Sequence, residues 1–576
     1  MPRPRLFRLL IALGILAVGG WLLRGYTTDD TFIHLRYAQN LLERGEVSFN
    51  PGEPTYGATS PLWIFGLALL LKLGLAPTVA AWALGALCGL GVILVADAIL
   101  SRFTYPESWK AIVLAVIAAD PWLLRWTYSG METPLATLAL LVLVWPLVSG
   151  RDLGWGVTRE PLWRRYLGWG VAAGLAGLVR PEFLLLAPAV LPILLWFEYY
   201  RASAVGGVGA RHRARPMEPA IAAIAGWLLA AGPWLLYAWA VFGRALPDTA
   251  AAKSGSLLGD PLALARNLWQ ASSPLLGVIG FFALIPVLLV ILVLARQRAP
   301  RELDDEDDDA VADQDGGAVL VETTPDPTTP AARDAAAWSV WGPVAFVGVA
   351  VTWAVMLLGG YAVRQVWVIS RYVSPLAPVA VLALSLLVEW LLHGPGLSRG
   401  VRRFGHGLAL ACVAAGLGVN VWIFGSQVVP HAQAFPRGVS ECYGGIAGWL
   451  RQNVAPGQTV AALDIGAIGF HSERRVLDLM GLVSPAVREL GRQQGFEAMV
   501  ANGAWLRAEP AHPPVCLVDR TDGPPRWTDR VVEGFRFDLV STCALPGVGL
   551  REKQPWTVAL YRLVPVPTVA SPPAGG

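Results

Sequence analysis

Eleven apolar runs decide what this chain can become. They fall near 6–24, 79–100, 110–126, 135–149, 167–181, 183–199, 219–241, 274–296, 337–360, 373–393 and 405–425. Their lengths are close to the roughly 17–25 residues a helix needs to cross a bilayer. In hydrocarbon each backbone N–H and C=O must find a partner inside the segment, so runs of this kind cross as helices. Charged residues make up 15% of the 576, against about 25% in a soluble domain. The expected fold class is a polytopic α-helical membrane protein. No basic stripe with interleaved aromatics suggests nucleic acid. The opening MPRPRLFRLLIALGILAVGGWLL resembles a signal peptide, but Trp21, Leu22, Leu23 and Arg24 replace a small-residue cleavage site. It reads as an uncleaved first span.

A twelfth run, 61–76, fixes the parity of everything after it. If it does not cross and the N-terminus is inside, the loops carrying Arg102/Lys110, Arg151 to Arg165, Arg201 to Arg215 and Arg399 to Arg403 are cytoplasmic. The opposite parity exports nearly all of this positive charge, against the usual bias. Residues 61–76 are therefore expected to lie along the membrane surface, after an exported loop that begins at residue 25. The acidic tract 301–317 lands in a cytoplasmic loop, 298–336, and reads as a solvated disordered linker rather than a metal site.

From residue 426 the composition changes. Strand-like pieces at 459–470, 475–483, 514–519, 535–542 and 556–564 alternate at first with amphipathic helical stretches. A small α/β domain over 426–576, on the outer side, is expected. It holds Cys442, Cys516 and Cys543, two of which an oxidising compartment could pair; which two is open.

Charges beside membrane spans are costly and usually functional. On this topology they converge on the outer face: Asp29, Asp30, His34, Arg36, Tyr37, Glu53, Tyr56, Thr59 and Ser60 in the first loop; Asp120, Arg125, Tyr128 and Glu132; Arg180 and Glu182; Arg244, Asp248 and Lys253; Arg364, Arg371 and Tyr372. A carboxylate beside an acceptor hydroxyl can act as general base. Arg and Lys nearby can hold a phosphate and stabilise its charge as it leaves. No nucleotide pool exists outside, so a donor used there must be made inside and carried across. A sugar on a polyprenyl phosphate meets that need.

At these residues the sequence resembles the GT-C superfamily of polyprenyl-phosphate-sugar-dependent glycosyltransferases. The pieces are Asp29-Asp30 with Arg36-Tyr37 and Asn40, then Phe49-Asn50-Pro51-Gly52-Glu53, then Gly57 with Thr59-Ser60-Pro61-Leu62-Trp63. Further on come Ser129-Gly130-Met131-Glu132-Thr133, Arg180-Pro181-Glu182, Leu246-Pro247-Asp248-Thr249 with Lys253, and Asp464-Ile465-Gly466 followed by Asp478, Gly481 and Leu482. They are similar to a bacterial branch that includes the terminal arabinofuranosyltransferase of mycobacterial cell walls. The resemblance implies a GT-C type fold of about eleven spans, with juxtamembrane helices in the first loop and a periplasmic C-terminal domain. It also implies an inner-membrane enzyme that moves one sugar, arabinofuranose through that branch, to a periplasmic glycan, lipid or protein with inversion.

By resemblance Asp29 and Asp30 inherit the catalytic role, with Asp29 favoured as base; a helix N-cap is the alternative reading. Lys253, Arg371 and Arg180 are expected to hold the donor phosphate. Arg36, Tyr37, Glu53, Tyr56, Thr59, Ser60, Glu132, Glu182 and Tyr372 are expected to meet sugar or acceptor. His34 reads as a packed loop residue, and Asp464 and Asp478 as structural. The loops offer no DxD pattern, so no metal and no other cofactor is expected. A lipid-linked-sugar transporter predicts charges along a path through the bilayer and an internal repeat, and neither is visible. A non-catalytic glycan-binding scaffold is the remaining rival, and the intact acid pair argues against it.

Overall fold

The computed structural model describes residues 2–103, 105–148, 161–200, 217–247, 261–275, parts of 279–287, 330–366, 368–392, 399–547, 550 and 554–566. Lys253, Asp248 and the acidic tract lie outside the described residues. The helices that matter here are α1 (Arg3–Leu22), α2 (Asp29–Arg44), α3 (Pro61–Lys72), α4 (Pro77–Leu100), α5 (Glu107–Ala118), α6 (Pro121–Thr127) and α7 (Thr133–Leu143). After these come α8 (Leu162–Val179), α9 (Phe183–Tyr200), α10 (Met217–Phe242), α11 (Pro330–Val363), α12 (Ser370–Leu392) and α13 (Gly400–Asn453). Among the described residues, seven helices are long and apolar enough to cross a membrane: α1, α4, α9, α10, α12, α13 and the Trp341–Val363 part of α11.

Several of the eleven runs are not single long helices. The run 110–126 breaks at Asp120-Pro121 into α5 and α6. Asp120 caps α6 by accepting N–H groups from Trp122 at 3.0 Å and Leu123 at 2.7 Å, and Pro121 takes the first helical position, where no N–H is needed. Asp120 therefore has a structural function. Arg125 also turns inward, donating to the Tyr26 hydroxyl at 3.0 Å. The run 61–76 is α3, whose 12 residues extend about 18 Å at 1.5 Å per residue. That is short of the roughly 30 Å hydrocarbon core.

Charge also collects at the other end of the helices. Arg8 and Asp97, both buried, pair at 2.6 Å, and Arg5 reaches the same carboxylate at 2.8 Å. Arg8 also contacts Glu107, which Lys110 meets at 2.9 Å. This network ties α1, α4 and α5 together where a lone buried charge would be costly.

Helix α13 continues without interruption from the membrane region past residue 425 to Asn453, with π-turns at Phe424–Val428 and Val439–Tyr443. It leads into a six-stranded sheet: β1 (Thr459–Ala462), β2 (Arg475–Asp478), β3 (Pro514–Thr521), β4 (Val531–Val532), β5 (Phe535–Leu545) and β6 (Trp556–Pro565), in the order β2-β1-β3-β6-β5-β4. Strand β1 runs parallel to β2 and β3, and the remaining pairs are antiparallel. Its residues are buried on both faces, as expected where a parallel strand is covered on each side. Val460 and Ala462 join the core continuous with the membrane helices. Ala461 points the other way, into a second core with Trp505, Trp527, Phe537 and Tyr561. The helices α14 (Gly466–Ser472) and α15 (Pro485–Gln494) follow β1 and β2. A disulfide between Cys442 and Cys543 staples the end of α13 to β5, while Cys516 is buried and free.

Candidate functional site

Helix α2 gives the two adjacent acids different partners. Neighbouring residues on an α-helix point about 100° apart, so Asp29 and Asp30 cannot face the same way. Asp29 turns to the α/β domain and accepts the backbone N–H groups of Gly466 at 3.0 Å and Ala467 at 2.8 Å. Burial, with Asp464 and Asp30 close by, pushes its carboxyl up to about 7 despite those two bonds. Asp30 turns to the membrane helices and pairs with the Arg371 guanidinium at 2.5 Å.

Beside Asp30 lies a cavity of about 640 Å³, within the range of small-molecule sites. Four guanidiniums (Arg180, Arg244, Arg364 and Arg371) and three carboxylates (Asp30, Glu132 and Glu182) line it, one positive charge in excess. The acids and bases interlock. Arg180 meets Glu182 at 2.7 Å and Glu132 at 3.4 Å, and donates to the Arg371 carbonyl at 3.1 Å. The Tyr361 hydroxyl donates to Glu182 at 2.7 Å. The Tyr372 ring sits under two guanidiniums, 5.1 Å from Arg180 and 5.3 Å from Arg371, a cation–π arrangement that fixes both. Glu132 and Arg371 are each more than nine-tenths buried. Yet Glu132 Oε2 and Arg371 Nε have no hydrogen-bond partner among the described residues. Buried polar atoms are normally satisfied, so these two are exceptions within the network. The rest of the wall is apolar: Leu185, Leu186, Leu246, Met356, Leu357 and Val366.

The site is positioned by the first loop and the turn before α7. Thr31 donates to the Ser129 carbonyl at 2.8 Å, and Trp63 Nε1 to the Gly130 carbonyl at 3.2 Å. These bonds hold Glu132 next to Asp30. Of the residues expected from the sequence, Asp30, Thr59, Glu132, Arg180, Glu182, Arg371 and Tyr372 line the cavity, and so does His34.

Asp29, Arg36, Tyr37, Glu53, Tyr56 and Ser60 do not line it, and each has local surroundings of its own. Arg36 donates to the Phe49 carbonyl at 3.3 Å. The Tyr37 hydroxyl bonds Thr55 and accepts the Gly57 N–H at 3.1 Å. Tyr56 accepts from Trp234 Nε1 at 2.7 Å and stacks on Phe242. Ser60 is buried at the start of α3. Glu53 pairs with Arg475 at 2.7 Å.

Sequence reasoning missed the reason for Asn50. Its side-chain amide donates to the Val476 carbonyl at 2.9 Å and accepts the Val476 N–H at 3.0 Å. It thus acts as a one-residue strand on the edge of β2. The Asp478 carboxylate accepts from Met480 at 2.8 Å and Val483 at 2.9 Å, shaping the turn that places Leu482 on the cavity wall. Gly57 lies under that turn, where a Cβ would come within 2.8 Å of the Leu482 carbonyl. Tyr361 was also missed: a tyrosine at the end of a span reads like any interfacial aromatic. Among the described residues no three His, Cys, Asp or Glu side chains gather as a metal site would require.

Over its whole length the chain is similar to a solved membrane protein. A crystal structure of ArnT from Cupriavidus metallidurans bound to undecaprenyl phosphate superimposes with a TM-score of 0.50 at 13% identity, covering 96% of this chain and 97% of that one. The fold is similar to that of ArnT. The apo form of ArnT gives a TM-score of 0.48 at 14% identity over the same shares. The Archaeoglobus fulgidus oligosaccharyltransferase in complex with Zn and sulfate gives 0.49 at 13% identity, covering 89% of this chain and 67% of that one. The likeness to ArnT shows the GT-C type fold: apolar helices with a small C-terminal sheet domain. Residues 433–561 match a domain of unknown function, DUF8728. No curated protein matches the sequence.

Proposed function

We propose that this protein is a membrane glycosyltransferase that moves one sugar from a polyprenyl phosphate to a hydroxyl acceptor on the outer side of a bacterial cytoplasmic membrane. The observation that carries the reading is a cavity whose lining combines four guanidiniums and three carboxylates with apolar side chains of α9 and α11. A phosphate on an isoprenoid combines charged and apolar parts in the same way. The solved ArnT holds undecaprenyl phosphate, which supports this class of donor.

Asp30 is the proposed base. It removes the proton of the acceptor hydroxyl as that oxygen attacks the anomeric carbon, and the bond from that carbon to the phosphate oxygen breaks on the opposite face. Single displacement inverts the anomeric centre. Arg371 and Arg180 hold the phosphate and its growing charge, with Lys253 as a third candidate from the segment after Leu246-Pro247. Glu132, Glu182, Thr59 and Tyr372 meet sugar hydroxyls. Asp29 is removed from the reacting group by its two backbone partners. The outer location of the α/β domain is supported by the Cys442–Cys543 disulfide, a bond typical of oxidising compartments. Arabinofuranose as the sugar rests on the sequence resemblance alone.

The test is binding of undecaprenyl phosphate to the purified full chain in nanodiscs. Arg371→Ala weakens binding at least about tenfold, in line with loss of a charge-assisted hydrogen bond, whereas Asp30→Asn retains it. Absence of binding by the wild type, or equal binding by Arg371→Ala, overturns the reading.

A further inference from the structure

The base is held in place by a different domain from the one that houses the cavity. Asp30 is one residue from Asp29, and Asp29 is tied by both carboxylate oxygens to Gly466 and Ala467. The approach is so close that a Cβ on Gly466 would lie 1.9 Å from the Asp29 carbonyl oxygen, so only glycine lets α14 seat there. Around this contact the first loop is bonded to the same domain at further points. Asn50 pairs with Val476, Glu53 pairs with Arg475, and Phe32 packs its ring 5.5 Å from Phe470. The first turn of α2 therefore takes its register from the α/β domain. Asp30 must keep that register to reach Arg371, whose guanidinium stands on α12.

Resting on the glycosyltransferase reading, we infer that Asp29 is a positioning residue: it locks α2 to the α/β domain and so sets Asp30 against Arg371. The domain is then a working part of the active centre as well as an appended module. This separates the roles of the two acids. One is fixed by two N–H donors outside the cavity, and the other is presented to substrate. A displacement of about 1 Å at a reacting group can cost on the order of 10²-fold in rate, so loosening this contact is expected to act on turnover.

The experiment uses two variants from opposite sides of the contact, Asp29→Asn and Gly466→Ala, in the full chain. Each should lower kcat about 10²-fold with donor KM unchanged. Gly466→Ala should also shift the acid limb of the kcat–pH profile to higher pH, because Asp30 loses its guanidinium neighbour; in Asp29→Asn the removal of a neighbouring carboxylate opposes that shift. The double variant should be no slower than the slower single one, since both break the same lock. A purely structural role would leave the position of the acid limb unmoved. Hydrogen exchange supplies a readout free of activity: α2 amides from Thr31 to Tyr37 should exchange faster in both variants.

Loss of all transfer in Asp29→Asn with normal transfer in Gly466→Ala would make Asp29 the reacting group and overturn the inference. Unchanged exchange in both variants and an unmoved acid limb in Gly466→Ala would overturn it equally. Wild-type protein that transfers no sugar while the exchange effect persists would count against the function and leave the lock standing.

Discussion

Asp30 and Arg371 form the pair on which the proposed chemistry depends, and their substitutions separate the proposed base from the proposed phosphate holder. Asp30→Asn removes the proton acceptor and should lower kcat by about 10²–10⁴-fold with undecaprenyl phosphate still bound. Arg371→Lys keeps a charge but loses the planar fork that reaches Asp30. Its effect should fall on donor KM as well as kcat, measured by initial rates over a donor series. Asp478 gives a prediction about pH. Burial pushes its carboxyl up to about 6 although several backbone N–H groups oppose this. An acid held above its unfolded value of roughly 3.9 binds its proton more tightly when folded, so its contribution to stability falls as pH rises from about 4 to about 6. Across that window the wild type should lose up to about 3 kcal/mol relative to Asp478→Asn, read from denaturation midpoints at each pH. The sequence singled out Asp29 and Asp30 as a pair, and the structure places both in the first turn of α2. Which of them faces substrate was not legible, because it depends on where α14 lies, more than four hundred residues away. Arg36, Tyr37 and Glu53 were drawn into the candidate site because composition cannot tell a polar residue that braces a loop from one that waits for a ligand.

At the scale of elements, seven helices long and apolar enough to cross a membrane lie among the described residues where eleven spans were expected, and alternation of strand-like pieces and amphipathic stretches matches the C-terminal sheet. Breaks inside runs were less legible. Asp120-Pro121 reads as part of a continuous run by hydropathy, yet a cap residue followed by proline is also a helix start, and that local chemistry prevailed. Helix α3 has 12 residues, and its expected place along the membrane surface has a direct check. A Lys72→Cys variant should react with a membrane-impermeant maleimide added outside spheroplasts, since residues before and after α3 then share one face. Labelling only after permeabilisation would show that the segment crosses and would invert every later loop. The motif Asn50-Pro51-Gly52-Glu53 looked like a turn, which it is, but its purpose is to bind the edge of β2. A long-range pairing of one amide with one strand residue leaves no local pattern.

In the whole molecule, two bodies share the wall of one cavity. Membrane helices supply the guanidiniums and the apolar wall. The first loop supplies Asp30, and the α/β domain closes the wall with Leu482. The outer domain is also stapled to α13 through Cys442 and Cys543, which are 101 residues apart in sequence. Replacing both by Ala should destabilise the domain by roughly 2–5 kcal/mol, measured by protease resistance against temperature, with the membrane helices still folded. Much of the buried charge among the helices gathers in two places. One is the Arg8–Asp97 network, where every charge serves packing. The other is the cavity, where Glu132 and Arg371 keep buried atoms without partners among the described residues. The most direct measurement is single-turnover transfer by purified protein from a panel of polyprenyl-phosphate sugars, with the released polyprenyl phosphate quantified alongside the glycosylated acceptor. The account predicts equal amounts of both products for one donor class and a rate about 10²–10⁴-fold lower from Asp30→Asn. Full release and transfer by Asp30→Asn would contradict it.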